Sequence, residues 1–431
     1  MNRKIRLAAA LLCVLLTCSA AFGCQKDVVE DTANVASPKT SALALPKYTI
    51  ESVKYTLPES ERVPYRQGLQ PYLRTAIPAF LADAGEENAA CSPLNIYMAL
   101  AMLAEVTGGE SRAQLEALLG GETEQLRDWA SALWQNNYRS GEGSQLLLGS
   151  SIWLNEGMEF KQNTLDLLAD RYYAAAYQGE MGSEAFSQTY RDWMNTHTGC
   201  LLKDQIPHMK LEADLAMNIS ATVYFTGAWS SAFNKALTVP QTFYAPNGEQ
   251  EVQMMKKTQE CNYYWGEHFT SVCLPMDVGN MWFLLPDEGV TPADLLAEEE
   301  AMDFLLDRGH WEDYKYLKVH LSVPRFDITT QTGLIEDLRA LGVIDVFTRG
   351  LADFSPITDE TGLYASSVLH GVRVKVDEEK MEAAAYTSVC TPSAAPPQEL
   401  EEINFTLDRP FLFVIAGADG LPLFTGIVNQ P

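Results

Sequence analysis

The sequence predicts an α+β fold whose sheets are mostly antiparallel. Helical patterns dominate the first half of the chain, strand patterns dominate the second half, and no internal repeat is present. Of the 431 residues, 47% are hydrophobic and 20% are charged, the ordinary composition of a globular protein with a large core. Length alone would suggest two or three domains.

Four helices are predicted in the first half from hydrophobic periodicity and stop signals. Residues 92–109 are apolar nearly all round, which indicates a buried helix, and Gly108 and Gly109 end it. Residues 110–121 form an amphipathic pattern that also ends at a pair of glycines. The segments 71–85 and 187–199 complete the set.

Strands predominate after about residue 219. In the segment 318–328, Val319, Leu321 and Val323 alternate with polar residues, which indicates a half-buried strand. The segment 405–428 predicts a strand pair that turns at Ala418-Asp419-Gly420. The other predicted elements are strands at 219–229, 271–289 and 368–376 and a helix at 333–343.

The N-terminus predicts a targeting segment. Arg3, Lys4 and Arg6 precede a ten-residue apolar run, which is too short to span a bilayer as a mature helix. Small residues then lead to Cys24, a pattern that resembles a bacterial lipoprotein signal, in which the Cys carries lipid. A secretory signal cut nearby is the alternative. We predict a lipoprotein signal peptide over 1–23, a flexible tether over 24–65, and an extracytoplasmic protein anchored to the cell surface through Cys24.

Charge and cysteine usage exclude several function classes. The formal net charge of −26 disfavours nucleic acid, because phosphate binding needs clustered Lys and Arg. Five cysteines remain beyond Cys24, without CxxC or Cys/His metal spacing. Cys261 and Cys273 are the candidate disulfide, and free buried thiols are the favoured alternative. We predict no metal and no cofactor.

No enzyme signature is present. The motifs HExxH, GxSxG and GxGxxG and the P-loop are absent, and the six histidines are scattered singly. The acidic run 298–300 is typical of a solvated surface. A hydrolase remains an alternative, because catalytic triads are assembled in space and not in sequence.

The segment 376–397, VDEEKMEAAAYTSVCTPSAAPP, combines two patterns. Glu378 to Ala385 are nearly all strong helix formers, yet they lie between a predicted strand and a loop rich in Thr, Ser, Ala and Pro. Met381, Ala383 and Ala385 also share one face in an extended chain, and the charged Lys380 and Glu382 lie on the other. The composition fits a short surface helix, whereas the alternation fits a strand with one buried face.

Several segments together resemble the serpin family, in order over roughly 70–431. The resemblance implies a single domain over 66–431, which begins where the predicted tether ends. This domain would contain three mostly antiparallel sheets and about nine helices, which overrules the two or three domains suggested by chain length. It also implies a monomer that inhibits a serine or cysteine peptidase through an exposed reactive-centre loop at about 378–402. The segments are SPLNIYMALAMLAEVTGGESRAQLEALLG, VYFTGAWSSAF, SVPRFDITTQTGLIEDLRALGVIDVF, VDEEKMEAAAYT, and RPFLFVI with PLFTGIVNQP.

In this family a peptidase cuts the loop, is held as an acyl-enzyme, and is dragged along when the loop enters the main sheet. The usual spacing puts the cut bond at Ala394-Ala395, with Ser393 as an alternative position. A small residue before the bond suits elastase-like enzymes. The implied hinge consists of Glu378, Glu379, Lys380, Met381, Glu382, Ala383, Ala384 and Ala385.

Two hinge positions depart from the family pattern. Inhibitory members usually carry Gly followed by Thr or Ser where this chain has Lys380 and Met381, and the loss of Gly restricts the turn at which insertion begins. A non-inhibitory serpin, acting as a peptidase substrate or binding protein, is therefore the alternative function. Cys390 would be a loop thiol, either reactive or without a special role.

The resemblance also implies a hydrogen-bonded cluster where the main sheet opens. Ser92 and His370 match it, Asn95 stands at its second polar position, and Ala221 replaces the family's Asn. We expect Asn95 to supply the missing amide. Trp229 matches the Trp at the top of the sheet, where insertion starts. From the residues alone, His370 shares parity with Val372 and is expected to face the core with a polar partner.

Overall fold

A computed structural model describes residues 40–48, 59–140, 144–199, 206–307, 311–378 and 400–431. These residues form nine α-helices and three sheets, which confirms the predicted α+β class. The helices are α1 (Glu59–Leu81), α2 (Pro93–Val106), α3 (Gly109–Leu119), α4 (Thr123–Asn137), α5 (Gln162–Arg171), α6 (Glu184–His197), α7 (Pro292–Ala297), α8 (Glu299–Leu306) and α9 (Ile335–Ala340).

The described strands fall into sheets of four, nine and two strands. Their bounds are β1 (Ser41–Ala44), β2 (Ala89–Cys91), β3 (Gln145–Asn155), β4 (Ala174–Gly179), β5 (Met217–Thr226), β6 (Val239–Ala245), β7 (Gly248–Trp265), β8 (Phe269–Pro275), β9 (Asn280–Pro286), β10 (Tyr314–Pro324), β11 (Phe326–Gly333), β12 (Leu369–Val376), β13 (Glu402–Thr406), β14 (Phe411–Ala416) and β15 (Pro422–Val428). The strand orders are β1-β4-β3-β5, then β13-β10-β7-β8-β9-β14-β15-β2 with β6 also on β7, and β11-β12. The β3–β4 and β10–β13 pairs are parallel and the others are antiparallel, as predicted.

Helix α2 is the centre of the hydrophobic core. Every residue of α2 except Ala99 is buried, which confirms the prediction from its apolar sequence. It packs against β5 and β15 and so touches both the four-stranded and the nine-stranded sheet. The following helix α3 ends at Gly120, whose left-handed φ of 83° only Gly adopts without strain, and whose N–H bonds the Glu116 carbonyl.

The predicted strand 318–328 is in fact two strands in different sheets. β10 ends at Pro324 in the nine-stranded sheet, and β11 begins at Phe326 in the two-stranded sheet. The Arg325 N–H between them bonds the Gln253 carbonyl. Phe326 and Ile328 are buried, so the apolar alternation continues across the break. The alternation of apolar residues therefore did not indicate that the chain passes from one sheet to another at Arg325.

The predicted tether of residues 24–65 is wrong in its C-terminal part. β1 pairs antiparallel with β4 at the edge of the four-stranded sheet, and α1 begins at Glu59. Nearby, the Tyr48 ring packs on Trp134 with centroids 4.8 Å apart. The sequence predicted only the part of α1 after residue 71 and concealed the rest, because α1 contains three prolines, each of which removes a helical N–H donor. The predicted signal peptide and Cys24 lie outside the described residues.

Within the described ranges, no helix is both long and apolar enough to cross a membrane.

Candidate functional site at the end of β12

The four-stranded and two-stranded sheets each end in a strand that has one unpaired edge. Among the strands that the structure describes, β5 pairs with β3 alone and β12 pairs with β11 alone. Each therefore has one edge whose backbone N–H and C=O groups have no ladder partner. Such edges accept a further strand, because the hydrogen-bonding groups are already aligned.

A contact between Trp229 and Asp377 fixes the relative direction of these two strands. Trp229 follows the C-terminal end of β5, and Asp377 follows the C-terminal end of β12. The Trp229 Nε1–H donates to the Asp377 carbonyl at 2.9 Å, and the Trp229 side chain is buried against Phe233. The two strands therefore end at the same place, and a chain turning back after Glu378 would run antiparallel to both.

Glu378 is anchored by a buried ion pair where the predicted loop begins. Its side chain is only 1% exposed, and Arg325 donates to both carboxylate oxygens, from Nε and Nη2 at 2.7 Å each. The Thr238 hydroxyl donates to Oε1 as well. Burial raises the pKa of Glu378, but the hydrogen bonds from Arg325 and Thr238 outweigh it and hold that pKa below its ordinary value.

The predicted sheet-opening cluster is assembled differently from the expectation. The backbone N–H of Ser92, the N-cap of α2, donates to His370 Nε2 at 3.0 Å, and the Ser92 hydroxyl donates to the Leu423 carbonyl at 2.6 Å. Asn95 is buried in the first turn of α2, and within the described residues its Oδ1 has no hydrogen-bond partner. We expected Asn95 to supply the missing amide of this cluster, but its Oδ1 bonds neither Ser92 nor His370 in the structure.

His370 is neutral in the folded protein. It is 4% exposed, and burial lowers its pKa to about 4. Since Nε2 accepts the Ser92 N–H, the ring proton lies on Nδ1. The prediction that His370 faces the core with a polar partner is confirmed.

This buried neutral state predicts a pH dependence of stability. The unfolded chain protonates histidine near pH 6.5, whereas folded His370 resists protonation down to about pH 4. The free energy of unfolding should therefore fall as the pH decreases through this window, by about 2 kcal/mol for this one group between pH 6.5 and 4.5. His197, whose pKa burial also lowers to about 4, adds to the same slope.

The variant His370→Gln tests this assignment, since Gln keeps an acceptor for the Ser92 N–H without a titrating ring. We expect the pH dependence of the free energy of unfolding, measured by urea unfolding over this window, to be roughly halved. The variant His197→Gln serves as a control, because it should remove the part of the pH dependence that His197 contributes. An unchanged slope in His370→Gln would show that His370 does not titrate between these limits.

Sequence reasoning located some of the site and missed the rest. The structure places Trp229 and Glu378 at the end of β12 and joins Ser92 to His370. The hinge residues 379–385 and the Ala394-Ala395 bond lie outside the described residues, as do Cys200 and Cys390. Arg325 and Thr238 were missed. The only signal was a lone Arg directly after the Pro that ends β10.

The described cysteines do not form the candidate disulfide. Cys91, Cys261 and Cys273 are free thiols, and Cys91 is buried. Burial raises the pKa of Cys91 to about 12 and also raises the pKa of Cys261, so neither is an activated nucleophile. The favoured alternative of a free buried thiol is confirmed for Cys91, whereas Cys261 and Cys273 form no disulfide but are only half-buried.

The fold and site together define a protein in which β5 and β12 each keep a free edge and end near the anchored Glu378. The family model Serpin (serine protease inhibitor) matches residues 77–431. A serpin-like protein of Thermococcus kodakarensis is 28% identical over 396 residues, covering 87% of this chain and 90% of its own. The plasma serine protease inhibitor of Mus musculus is 28% identical over 365 residues, with coverages of 82% and 87%.

Among solved structures, the thermophilic serpin tengpin in its native state matches with a TM-score of 0.76 and 25% identity. The match covers 91% of this chain and all of tengpin. The chain therefore belongs to the serpin family, whose members are in general inhibitors of serine proteases rather than enzymes.

Proposed function

We propose that this chain inhibits a serine peptidase of elastase-like specificity and that each molecule acts once. The peptidase serine Oγ attacks the Ala394 carbonyl carbon, the bond to Ala395 breaks, and Ala395 leaves as a protonated amine. The peptidase then remains esterified to Ala394. The freed segment 379–394 inserts between β5 and β12, and the attached peptidase is carried along before water can release it.

The single observation that carries this proposal is that β5 and β12 each have a free edge and end together at the Trp229–Asp377 hydrogen bond. A chain that turns back after Glu378 would pair antiparallel with both strands, so each inserted residue would gain ladder hydrogen bonds. Alternate residues would also become buried, which adds roughly 25 cal/mol per Å² of apolar surface. The Glu378–Arg325 pair supports the proposal, because it fixes the point from which insertion starts.

A denaturing gel of the chain incubated with elastase tests the proposal. We expect a covalent complex whose mass is the sum of the two proteins, together with some chain cut at Ala394. Elastase with a blocked active-site serine should give no complex. Cleavage near Ala394 without any complex would overturn inhibition and favour the alternative of a non-inhibitory serpin, for which Lys380 at the hinge is the motivating feature.

The location of the protein is a separate proposal. We propose that residues 1–23 are removed and that Cys24 carries lipid, which holds the domain at the outer face of a membrane. The sequence around Cys24 supports this. The variant Cys24→Ser should shift the protein from the membrane fraction to the soluble fraction. Retention of the variant in the membrane fraction would exclude Cys24 as the anchor.

A further inference from the structure

A cleft of about 370 Å³ lies between β7, β8 and β9, and its lining includes Ser230 and Ser231, which directly follow Trp229. β6 pairs with β7 as far as Met254, and β8 pairs with β7 from Tyr263 onward. In the described strand pairings, the edge of β7 between these points has no neighbouring strand on that side. We call this opening the β7 cleft. Its volume lies in the range of sites that hold small organic molecules.

One wall of the β7 cleft carries a half-buried cation. The Lys257 ammonium donates to the Ser231 carbonyl at 2.6 Å and lies 5.5 Å from the centroid of the Phe233 ring. Both partners are neutral, and no carboxylate forms an ion pair with Lys257 in the part of the chain that the structure describes. Burial lowers the pKa of Lys257, which records the cost of desolvating its charge.

This cation stands out against the charge of the whole chain. With 57 acidic and 31 basic residues, the protein surface repels anions in general. The acidic Glu260 also borders the cleft, but it is exposed and lies opposite Lys318 on β10, which partly balances its charge. An anion that enters the cleft therefore meets its favourable partner at Lys257.

The opposite wall is aromatic and apolar. The rings of Tyr264 and Trp282 lie 5.4 Å apart, and the partly exposed thiols of Cys261 and Cys273 border the same space. Aromatic walls favour flat, apolar ligands, because stacking adds to the area buried. The cleft thus combines a desolvated cation, an aromatic surface and an open strand edge.

We propose that the β7 cleft binds an organic anion with an aromatic body, whose acidic group pairs with Lys257 and whose ring packs on Tyr264 and Trp282. The acidic group is a carboxylate or a sulfonate, since either accepts hydrogen bonds from an ammonium. This site does not depend on peptidase inhibition, so it stands or falls independently of the proposed function.

Titration of the full chain with 8-anilinonaphthalene-1-sulfonate tests the site by fluorescence. We expect Lys257→Met to weaken binding about tenfold and Lys257→Arg, which keeps the charge, to weaken it less than threefold. Lys256→Met is the matched control, because Lys256 is the neighbouring cation on β7 and does not line the cleft. Its affinity should stay within twofold of the original. Equal affinity in Lys257→Met would overturn the proposal.

Protection of the cleft thiols by the bound probe is a second test. It uses the unaltered chain, so it does not depend on the folding of a variant. The probe should slow the reaction of Cys261 and Cys273 with N-ethylmaleimide at least fivefold, relative to the other cysteines, as mapped by mass spectrometry. Probe binding without this protection would place it elsewhere on the surface and exclude the β7 cleft.

Discussion

The variant Ala383→Arg should convert the chain from an inhibitor of elastase into a substrate. Ala383 shares an extended-chain face with Met381 and Ala385, and this small, apolar face is the one expected to turn inward on insertion. The inward side of β12 is lined by the buried residues Val372 and Val374. A charged Arg in such surroundings costs several kcal/mol, so insertion slows and water releases the peptidase first.

The measurement is the stoichiometry of inhibition, the number of inhibitor molecules consumed per peptidase inactivated. We expect it to rise at least tenfold in Ala383→Arg, while the rate of cleavage at Ala394 stays unchanged because the substitution is remote from that bond. The control is Ala384→Arg, which differs by one position and turns its charge outward to solvent. We expect its stoichiometry to stay within twofold of the original.

Two outcomes would contradict this interpretation. If both variants inhibit normally, residues 383 and 384 do not enter the sheet. If Ala384→Arg fails and Ala383→Arg inhibits, the segment inserts with the opposite face inward, and Lys380 rather than Met381 would be buried. The pair therefore tests the strand interpretation of the hinge, which its helix-forming composition does not favour.

The fold was predictable wherever a signal was local. Helix α2 is an unbroken apolar run, and the β14–β15 hairpin turns at Ala418-Asp419-Gly420, so each was evident within one segment. The division of 318–328 into β10 and β11 was hidden, because one alternation of apolar residues serves two sheets. Helix α1 was hidden in part by its three prolines, which tertiary packing tolerates.

The site was predictable only where one residue carries its own signal. His370 could be placed in the core from its parity, whereas Trp229 was placed in the site by the serpin resemblance. The Glu378 partners Arg325 and Thr238 are 53 and 140 positions away in sequence, so no local pattern joins them. The Asn95 expectation failed for a physical reason. It considered side-chain donors, whereas the free N–H at the N-terminus of α2 supplies the hydrogen bond to His370.

The variant Arg325→Met should release the start of the predicted loop without any cleavage. Glu378 would keep a buried carboxylate with only the Thr238 hydroxyl and its own backbone N–H left as donors. We expect a loss of about 2 kcal/mol in the free energy of unfolding, less than for fully buried pairs, because Arg325 is 43% exposed. Adding Glu378→Gln should recover part of this loss, since it removes the unpaired charge.

The larger effect should appear in the lifetime of the inhibitor. Once Glu378 is no longer held, we expect the uncut segment after it to pair with the free edges of β5 and β12, or with those of a second copy. We expect inhibitory activity at 37 °C to decay at least tenfold faster in Arg325→Met than in the original chain. Native gels should show either a compact inactive monomer or a ladder of oligomers.

The variant Arg373→Met is the control that separates anchoring from general stability. Arg373 also makes a bidentate ion pair, with Asp327, and it joins the same two strands, β11 and β12. That pair lies within the two-stranded sheet and does not hold the residue from which the loop starts. Arg373→Met should therefore lower stability without shortening the lifetime of inhibition. Equal decay in the two variants would mean that β11–β12 stability, and not the Glu378 anchor, keeps the loop out of the sheet.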